Sequence, residues 1–239
     1  GYMHNHMRMY VASICCNIAK SHWLNPAKWM YGHLLDGDVA SNNLSWQWIA
    51  GAFSNKKYYA NQNNINKYFN SNQKNTFLDV DYSDFECLET PKNLTETVDF
   101  KIKTEFKTSN LNQIETNKTT LVYNYYNIDP EWHKNENYQR ILLLEPSHFE
   151  KHPITQKCLD FALDLSINIK NLKVFVGEFS TLNEMTKTND VIFKEHPTNN
   201  HYQGIKEDRE WLSNIKGFHP SFFSYWKKCK KEIKQQLNN

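Results

Sequence analysis

The side chains best suited to chemistry are concentrated in residues 36–48, which read Asp-Gly-Asp-Val-Ala-Ser-Asn-Asn-Leu-Ser-Trp-Gln-Trp. This stretch combines carboxylates, amides and two indoles, and burying such polar groups costs free energy unless each finds a partner. The mixture is therefore typical of the wall of a ligand site. Asn5 and Arg8 precede it, three residues apart on a predicted helix, so they project from one face. The Arg8 guanidinium is a suitable partner for a buried aspartate.

Considered alone, the Asp36-Gly37-Asp38 motif has two interpretations. An Asp-x-Asp pair can hold Mg²⁺ or Ca²⁺, but an aspartate at this place also caps a following helix, and the capping interpretation is favoured. The five histidines between residues 133 and 201 lack the spacing of metal ligands, so no metal site is predicted. Glu145 lies at a predicted strand end, where α/β proteins bind ligands. No Gly-rich phosphate loop follows it, so no nucleotide site is assigned there.

Three helices are predicted to position the side chains of the first fifty residues. Apolar residues keep helical spacing over residues 3–21, which predicts the first helix. The second begins at Asn25-Pro26, an N-cap amide followed by a proline at the first helical position. It ends at Asp36-Gly37-Asp38, where the glycine can adopt a left-handed conformation. The third is predicted to begin near Asn42 or Asn43.

The second half of the chain has a different pattern, in which short apolar runs alternate with helical segments. This alternation predicts a parallel sheet with helices packed on it. The chain is therefore predicted to be mixed: an all-α N-terminal part at residues 1–75, a connecting segment at 76–120 and a small α/β domain at 121–239. The apolar runs lie at residues 120–123, 141–144, 174–176 and 191–193.

The net charge of +2 over 239 residues excludes no class of partner. The charge is uneven, however, because both ends of the chain are rich in Lys and Arg. A basic surface of this kind can face a polyanion, or it can be a solvated face, and both interpretations stay open. The C-terminal basic residues are Lys227, Lys228, Lys230, Lys231 and Lys234, against Glu232.

The cysteine content indicates a compartment. Five cysteines occur, none in a Cys-x-x-Cys pair, and we predict reduced thiols in a cytoplasmic protein. No membrane span and no signal peptide are predicted. The chain begins with Gly1 inside a helix-like pattern, which indicates a fragment or a processed product.

Taken together, several short stretches of residues 1–48 resemble the flavin-contacting part of the DNA photolyase/cryptochrome family. They agree in order, interval and residue type over about a fifth of the chain. The resemblance implies a helical FAD-binding region with FAD as the cofactor, followed here by a C-terminal extension. The matching stretches are Gly1-Tyr2-Met3-His4-Asn5-His6-Met7-Arg8-Met9, Trp23, Leu35-Asp36-Gly37-Asp38, Asn42-Asn43 and Trp46-Gln47-Trp48.

The same resemblance implies roles for eight residues. Five would contact the cofactor, one of these would also face flavin N5 and tune the redox state, two indoles would form an electron-hopping chain, and one thioether would touch the lesion. The cofactor-contacting residues are Asn5, Arg8, Asp36, Asp38 and Asn42, with Asn42 at N5; the indoles are Trp46 and Trp23; the thioether is Met9.

The function implied by the resemblance is repair of pyrimidine dimers in damaged DNA by a blue-light-absorbing flavoprotein, a photolyase-type lyase in its complete form. Half of the flavin pocket is expected before Gly1, in the same gene product or in a separate chain, so the isolated chain is expected to bind flavin poorly. Residues 57–62 depart from the family's Tyr-Phe-Arg-x-Phe-Asn-Pro-like stretch. The alternatives are a cryptochrome-like FAD photoreceptor without repair activity, and a degenerate fragment that acts as an interaction module.

Overall fold

The computed structural model describes residues 1–53, 56–106, 114–187 and 190–238. Four helices come first along the chain, and a five-stranded sheet with four further helices follows. The helices of the first group are α1 (Asn5–Ser13), which continues as a π-helical turn (Ile14–Ile18), α2 (Leu24–His33), α3 (Val39–Ile49) and α4 (Gln62–Phe69). The later elements are β1 (Thr120–Tyr123), β2 (Gln139–Leu144), α5 (Pro146–Lys151), α6 (Gln156–Ser166), β3 (Leu172–Val176), α7 (Phe179–Thr186), β4 (Val191–Lys194), β5 (Ile205–Glu207) and α8 (Phe222–Leu237).

The first predicted helix is present as α1 and its π-helical continuation. The π-helical turn carries Asn17, whose buried Nδ2 donates to the carbonyl of Ile49 at 3.0 Å and to that of Tyr58 at 2.7 Å. A buried amide that satisfies two carbonyls ties this helix to α3 and to the segment after it. π-helical turns are often found at functional sites, and this one directly follows the part of α1 that carries Asn5 and Arg8.

The start of α3 differs from the sequence-based expectation. We predicted a start near Asn42 or Asn43, but the helix begins at Val39. The reason is that Asp38 is its N-cap: the Ser41 backbone N–H donates to Asp38 Oδ1 at 2.7 Å. An aspartate in this position satisfies one of the unpaired N–H groups of the first turn. The favoured capping interpretation of the Asp-Gly-Asp motif is therefore correct.

The sheet is entirely parallel, with strand order β3-β2-β1-β4-β5. Its central strands β1 and β2 are buried along their whole length, as expected of strands covered by helices on both faces. The mixed fold class with a parallel sheet is confirmed. The edge strand β5 was not predicted, because Ile205-Lys206-Glu207 is largely exposed and lacks an apolar pattern.

The helical region and the sheet share part of one core. Tyr31 of α2 is buried among sheet and helix residues of the second half, and Leu35 and Val39 pack against the same cluster. The Thr155 backbone N–H donates to the Gly32 carbonyl at 2.8 Å. The α/β part therefore packs against the loop between α2 and α3. The boundaries at residues 75 and 120 stay predictions.

The predicted connecting segment is partly packed where it is described. Leu78 and Phe85 are buried in a small cluster with Ile18, and Thr104 exchanges hydrogen bonds with the backbone of Ile154. Before Thr120, the described residues contain no strand. No helix in the described ranges has the length and apolar character needed to cross a bilayer.

Candidate cofactor site

A cleft opens between α1, α2, α3 and the loop that joins α2 to α3. Seven of the eight predicted site residues line it, from three separate parts of the chain. They do so because α1 presents one face, Asp36 and Asp38 flank the start of α3, and the next turns of α3 complete the wall. The seven are Asn5, Arg8, Met9, Asp36, Asp38, Asn42 and Trp46, with Ala12, Met30, Ser41, Ser45 and Ile49 between them.

Arg8 and Asp36 form the ion pair that the sequence indicated. Arg8 Nη2 donates to both Asp36 carboxylate oxygens, each at 2.8 Å, while Arg8 Nε donates to the Met3 carbonyl at 2.7 Å. The side chains are 25% and 52% exposed, respectively. The expectation of a buried aspartate is therefore wrong: Asp36 lies at the rim of the cleft, where water reaches one side of the carboxylate.

Asp38 has two roles, one as the cap of α3 and one at the wall of the cleft. Its Oδ1 accepts from the first turn of α3, and its carboxylate also lines the cleft. The N-terminus of a helix carries a partial positive charge, which favours an anionic side chain there. The cap thus holds a carboxylate in a fixed place at the cleft wall.

Asn42 lies one turn further along α3 and is held in a defined orientation. Its Nδ2 donates to the Ala27 carbonyl of α2 at 2.9 Å and to Asn43 Oδ1 at 3.3 Å. In the part of the chain that the structure describes, no group donates to Asn42 Oδ1. The amide therefore keeps a free hydrogen-bond acceptor at the cleft.

The two indoles occupy different places in one core. Trp46 is fully buried beneath the cleft and packs with Met30 and Ile49, whereas Trp23 is partly buried against the same cluster but does not line the cleft. At the opposite wall, Asn5 Nδ2 contacts Met9 Sδ at 3.9 Å. Trp23 is therefore linked to the cleft only because it packs against the hydrophobic cluster that contains Trp46.

The polar groups of the cleft fit an isoalloxazine ring, but the enclosed space does not hold a whole FAD. A guanidinium, two carboxylates and a free amide acceptor surround an apolar floor, the chemistry expected for a flat heterocycle with ring nitrogens and carbonyls. The cavity measures about 60 Å³, whereas drug-sized ligands occupy clefts of roughly 300–1,000 Å³. The space enclosed by the described residues is therefore smaller than a ligand of that size needs.

Residues 57–62, which depart from the resembling family's pattern, have structural roles here. The Tyr58 carbonyl accepts from Ser13 Oγ at 2.9 Å as well as from Asn17. Asn61 caps α4 by accepting from the Asn64 backbone N–H at 3.0 Å. These contacts hold the segment against the helical region. None of the residues named here lines the cleft.

A second polar cluster, not predicted as a site, lies where the strands of the sheet end. Glu145 accepts from the Phe179 backbone N–H at 3.0 Å, contacts His201 Nε2 at 2.9 Å and accepts from the Tyr202 hydroxyl at 2.9 Å. Burial, followed by the nearby His152, lowers the pKa of His148 to about 4. The position of Glu145 after an apolar run was the available sequence signal.

The space within this second cluster is small. The cavity beside Glu145 and His148 measures about 20 Å³, which is room for about one water molecule, since roughly 10–15 Å³ of such space is sufficient. His148 Nε2 is buried and has no hydrogen-bond partner among the described residues. Across the described ranges, no group of three or more His, Cys, Asp or Glu side chains is arranged to hold a metal ion.

Comparison with known proteins finds similarity in the helical region. The family model described as the FAD binding domain of DNA photolyase matches residues 1–82. A deoxyribodipyrimidine photo-lyase of Streptomyces griseus is 45% identical over 51 residues, which is 21% of this chain and 11% of that protein. The proteins of the same name from Agrobacterium fabrum and Escherichia coli are 44% identical over 52 residues and 40% identical over 50 residues.

These matches cover 22% and 21% of this chain, respectively, and 11% of each relative, so the chain is aligned to about a tenth of the length of these proteins. No solved structure matches the chain significantly. The matched segment contains the cleft and all eight predicted site residues, and FAD is the cofactor of the matched domain. Residues 1–82 of the chain are therefore similar to the FAD binding domain of DNA photolyase.

Proposed function

We propose that the chain is part of a photolyase-related flavoprotein that uses FAD and blue light to repair pyrimidine dimers in DNA. The observation that carries this proposal is the convergence of Asn5, Arg8, Met9, Asp36, Asp38, Asn42 and Trp46 on one cleft. The relatives that match this segment are named deoxyribodipyrimidine photo-lyases, which supports the same reaction class.

Bound FAD would supply light absorption and electron transfer, and the residues of this chain would hold and tune it. Arg8 and Asp36 would fix one edge of the flavin ring, since Nη1 of the guanidinium has no acceptor among the described residues and could bond to the ring. Asp38 is anchored by the α3 N-terminus and would accept from a ribityl hydroxyl. Asn42 Oδ1 would accept a hydrogen bond from a protonated ring nitrogen, because its Nδ2 is already occupied by Ala27.

Trp46 and Trp23 would reduce the flavin by electron hopping. Indoles are oxidisable, and Trp46 is buried directly under the cleft while Trp23 packs on the same core from further out. A low-dielectric path between them would keep water from competing for the charge. The order from the cleft outward is therefore Trp46 and then Trp23.

Met9 stands at the cleft wall and would contact the lesion, which in this reaction class leaves the base stack. Basic surfaces of the chain would hold the phosphate backbone. The remaining wall of the flavin pocket would be supplied by a further part of the gene product or by a separate chain. Residues 1–75 would act as the helical FAD-binding part, and residues 121–239 as an α/β extension.

The proposal is tested on protein made from the complete reading frame that contains this chain. We expect a yellow protein that removes dimers from ultraviolet-damaged oligonucleotides under blue light and not in the dark. Trp46→Phe is expected to slow photoreduction, with Trp48→Phe as the matched control, since Trp48 is exposed and does not line the cleft. A colourless protein would rule out the flavin role.

A cryptochrome-like photoreceptor is the second candidate. Residues 57–62 lack the Arg and Pro of the photolyase pattern and are occupied by structural contacts, which favours loss of lesion binding with retention of flavin. A yellow protein that photoreduces normally but leaves dimers intact would support this candidate. A complete protein without flavin affinity would instead support a degenerate interaction module.

A further inference from the structure

The C-terminal helix α8 exposes a cluster of aromatic side chains at its first turns. Phe222, Phe223 and Trp226 are 67%, 78% and 43% exposed, and the rings of Phe222 and Trp226 are almost parallel, with centroids 6.4 Å apart. Within α8, only Cys229 is fully buried. Large exposed apolar side chains that are grouped rather than scattered mark interaction surfaces.

The same helix carries five exposed lysines. Lys227, Lys228, Lys230, Lys231 and Lys234 are all exposed, and none forms an ion pair with a described residue. The acid of the helix is directed elsewhere: Glu232 accepts from Ser213 Oγ at 2.6 Å and from the Asn214 backbone N–H at 3.0 Å. Its pKa is lowered, first of all by the Ser213 hydrogen bond. Helix α8 therefore carries five exposed lysines against one carboxylate, which is bonded to the preceding segment.

Helical spacing places the aromatic and basic groups side by side. Residues four apart lie on the same face, so Phe223 stands next to Lys227 and Trp226 next to Lys230. Lys227 and Lys234 are seven positions apart, which is a rise of about 10 Å along the axis. An aromatic platform that continues into a lysine row of this length is suited to a polyanion with flat rings.

The segment that contacts α8 extends this surface. Glu232 bonds to Ser213 and Asn214, and just before them Trp211 is about half exposed. The Arg209 guanidinium lies 4.3 Å from the centre of the Trp211 ring, a cation–π arrangement, and its Nε donates to Glu195 Oε1 at 2.9 Å. Exposed aromatic character therefore continues beyond the helix, whereas the positive charge of Arg209 is balanced by Glu195.

We propose that the exposed face of α8 binds single-stranded DNA, with the lysines on phosphates and Phe222, Phe223 and Trp226 stacked on bases. Proteins that bind single strands combine a positively charged surface with aromatic stacking platforms. The site lies outside the FAD-binding segment, and it would operate whether or not the cleft holds flavin.

A membrane surface is the competing partner, and the shape of the helix disfavours it. Interfacial helices bury an apolar stripe along their whole length. In α8 the continuation of that stripe passes through Cys229 and Ile233, which are buried and half-buried against the protein. The exposed aromatics therefore stay at the first turns, and the stripe is interrupted at Cys229 and Ile233 before the exposed Leu237 at the end of the helix.

The test uses the full 239-residue chain without flavin or light, so its outcome is independent of the proposed repair function. Fluorescence anisotropy with a labelled oligothymidylate would compare wild type with Lys227→Gln/Lys231→Gln and with a matched control, Lys101→Gln/Lys103→Gln, which removes two exposed lysines elsewhere. Losing two phosphate contacts should reduce the slope of log K against log salt by about 1.4.

The aromatic part of the site needs its own variant. Trp226→Ala is expected to weaken oligothymidylate binding by about tenfold, the effect of losing one stacked base, with helix content by circular dichroism unchanged. Equal binding by wild type and by either α8 variant would overturn the proposal. So would preferential binding to phosphatidylserine vesicles over oligothymidylate, measured by co-sedimentation.

Discussion

At the scale of single residues, the exposure of the Arg8–Asp36 pair decides what the pair contributes to stability. Partly exposed ion pairs stabilise proteins by about 0.2–1 kcal/mol, and the Arg8 Nε hydrogen bond to Met3 adds about 1 kcal/mol. We therefore expect Arg8→Ala to lower the free energy of unfolding by about 1–2 kcal/mol. Urea denaturation measures this change.

Arg8→Lys is the matched variant, because it keeps the charge and removes the Nε donor to Met3. It is expected to fall between wild type and Arg8→Ala. A loss of about 3–5 kcal/mol in Arg8→Ala is the behaviour of a buried pair, and it would mean that the carboxylate is shielded from water in solution.

The role proposed for Asn42 depends on one atom, the acceptor Oδ1. Because Nδ2 is fixed by the Ala27 carbonyl, Asn42→Ala removes the free acceptor at the cleft. We expect this variant of the complete flavoprotein to accumulate a different flavin redox state under illumination, measured by absorption spectroscopy. Gln47→Ala changes an amide on the same helix that does not line the cleft and should behave as wild type. An unchanged spectrum in Asn42→Ala would remove the residue from the site.

The residue types of the site could be read from the sequence, but their exposure could not. Asn5, Arg8 and Asp36 were found from spacing and resemblance, and the structure places them together. Whether Asp36 is buried depends on how far the loop after α2 stands out from α1, which is a property of tertiary packing. The free acceptor on Asn42 likewise depends on a carbonyl fifteen residues away.

At the scale of elements, α3 is fixed by its cap, and Asp38 therefore has separable structural and charge roles. Asp38→Ala should lower the free energy of unfolding by about 1 kcal/mol, since an N-cap side chain is lost. Asp38→Asn should cost less, because asparagine caps equally well and only the attraction of the carboxylate to the helix N-terminus, about 0.3–1 kcal/mol, is lost, while the variant removes the carboxylate from the cleft. Thermal unfolding measures the first effect, and flavin binding by the complete protein measures the second. Equal instability of both variants would contradict the capping role.

Helix α2 approaches the α/β part so closely that only glycine fits at position 32. A Cβ on Gly32 would lie 2.8 Å from the Pro153 carbonyl oxygen and 2.9 Å from Ile102 Cδ1. Alanine is the better helix former by about 1 kcal/mol, yet overpacking against backbone costs typically 1–3 kcal/mol. We expect Gly32→Ala to be destabilising, as measured by urea unfolding.

Adding Ile102→Ala to Gly32→Ala separates the two contacts. It removes the flexible side chain but leaves the Pro153 carbonyl in place, so stability should not be restored. If the double variant regained wild-type stability, the side chain rather than the backbone would set the close approach.

Element type was more predictable than element boundary, for reasons visible in particular segments. The apolar runs of β1, β2 and β4 form buried strands, and the parallel sheet was correctly predicted from them. Strand β5, Ile205–Glu207, has no such run, because its residues are largely exposed. The start of α3 was misplaced because one side-chain hydrogen bond of Asp38, rather than periodicity, determines it.

At the scale of the whole molecule, the helical region that forms the cofactor cleft also packs against the sheet. Tyr31 belongs to α2, is buried with the sheet residues, and shares a hydroxyl–hydroxyl hydrogen bond of 2.6 Å with Tyr126. Leu35 and Val39 flank Asp36 and Asp38 and pack on the same side. Changes in the α/β part should therefore reach the cleft through this loop. Sequence periodicity contains no information about that contact.

The histidines at this junction make the stability of the molecule dependent on pH. Burial lowers the pKa values of His148, His152 and His196, that of His148 to about 4. A histidine whose pKa is lower in the folded state binds a proton more readily when unfolded, so its contribution is present above the unfolded pKa of about 6.5 and is lost as pH falls. For His148 alone the free energy of unfolding should drop by about 2 kcal/mol between pH 7.5 and pH 5.

Urea unfolding at the two pH values measures this drop, and His148→Gln should remove most of the part that His148 contributes. His22→Gln changes an exposed histidine in the helical region and should leave the pH dependence as it is in wild type. Because His148 lies beside Tyr126, which contacts Tyr31 of α2, acidification should loosen the junction before the sheet. Hydrogen exchange at pH 5 should therefore show α2 opening ahead of β1 and β2. A single cooperative loss of protection in all three would mean that the histidines destabilise the molecule without acting on the junction first.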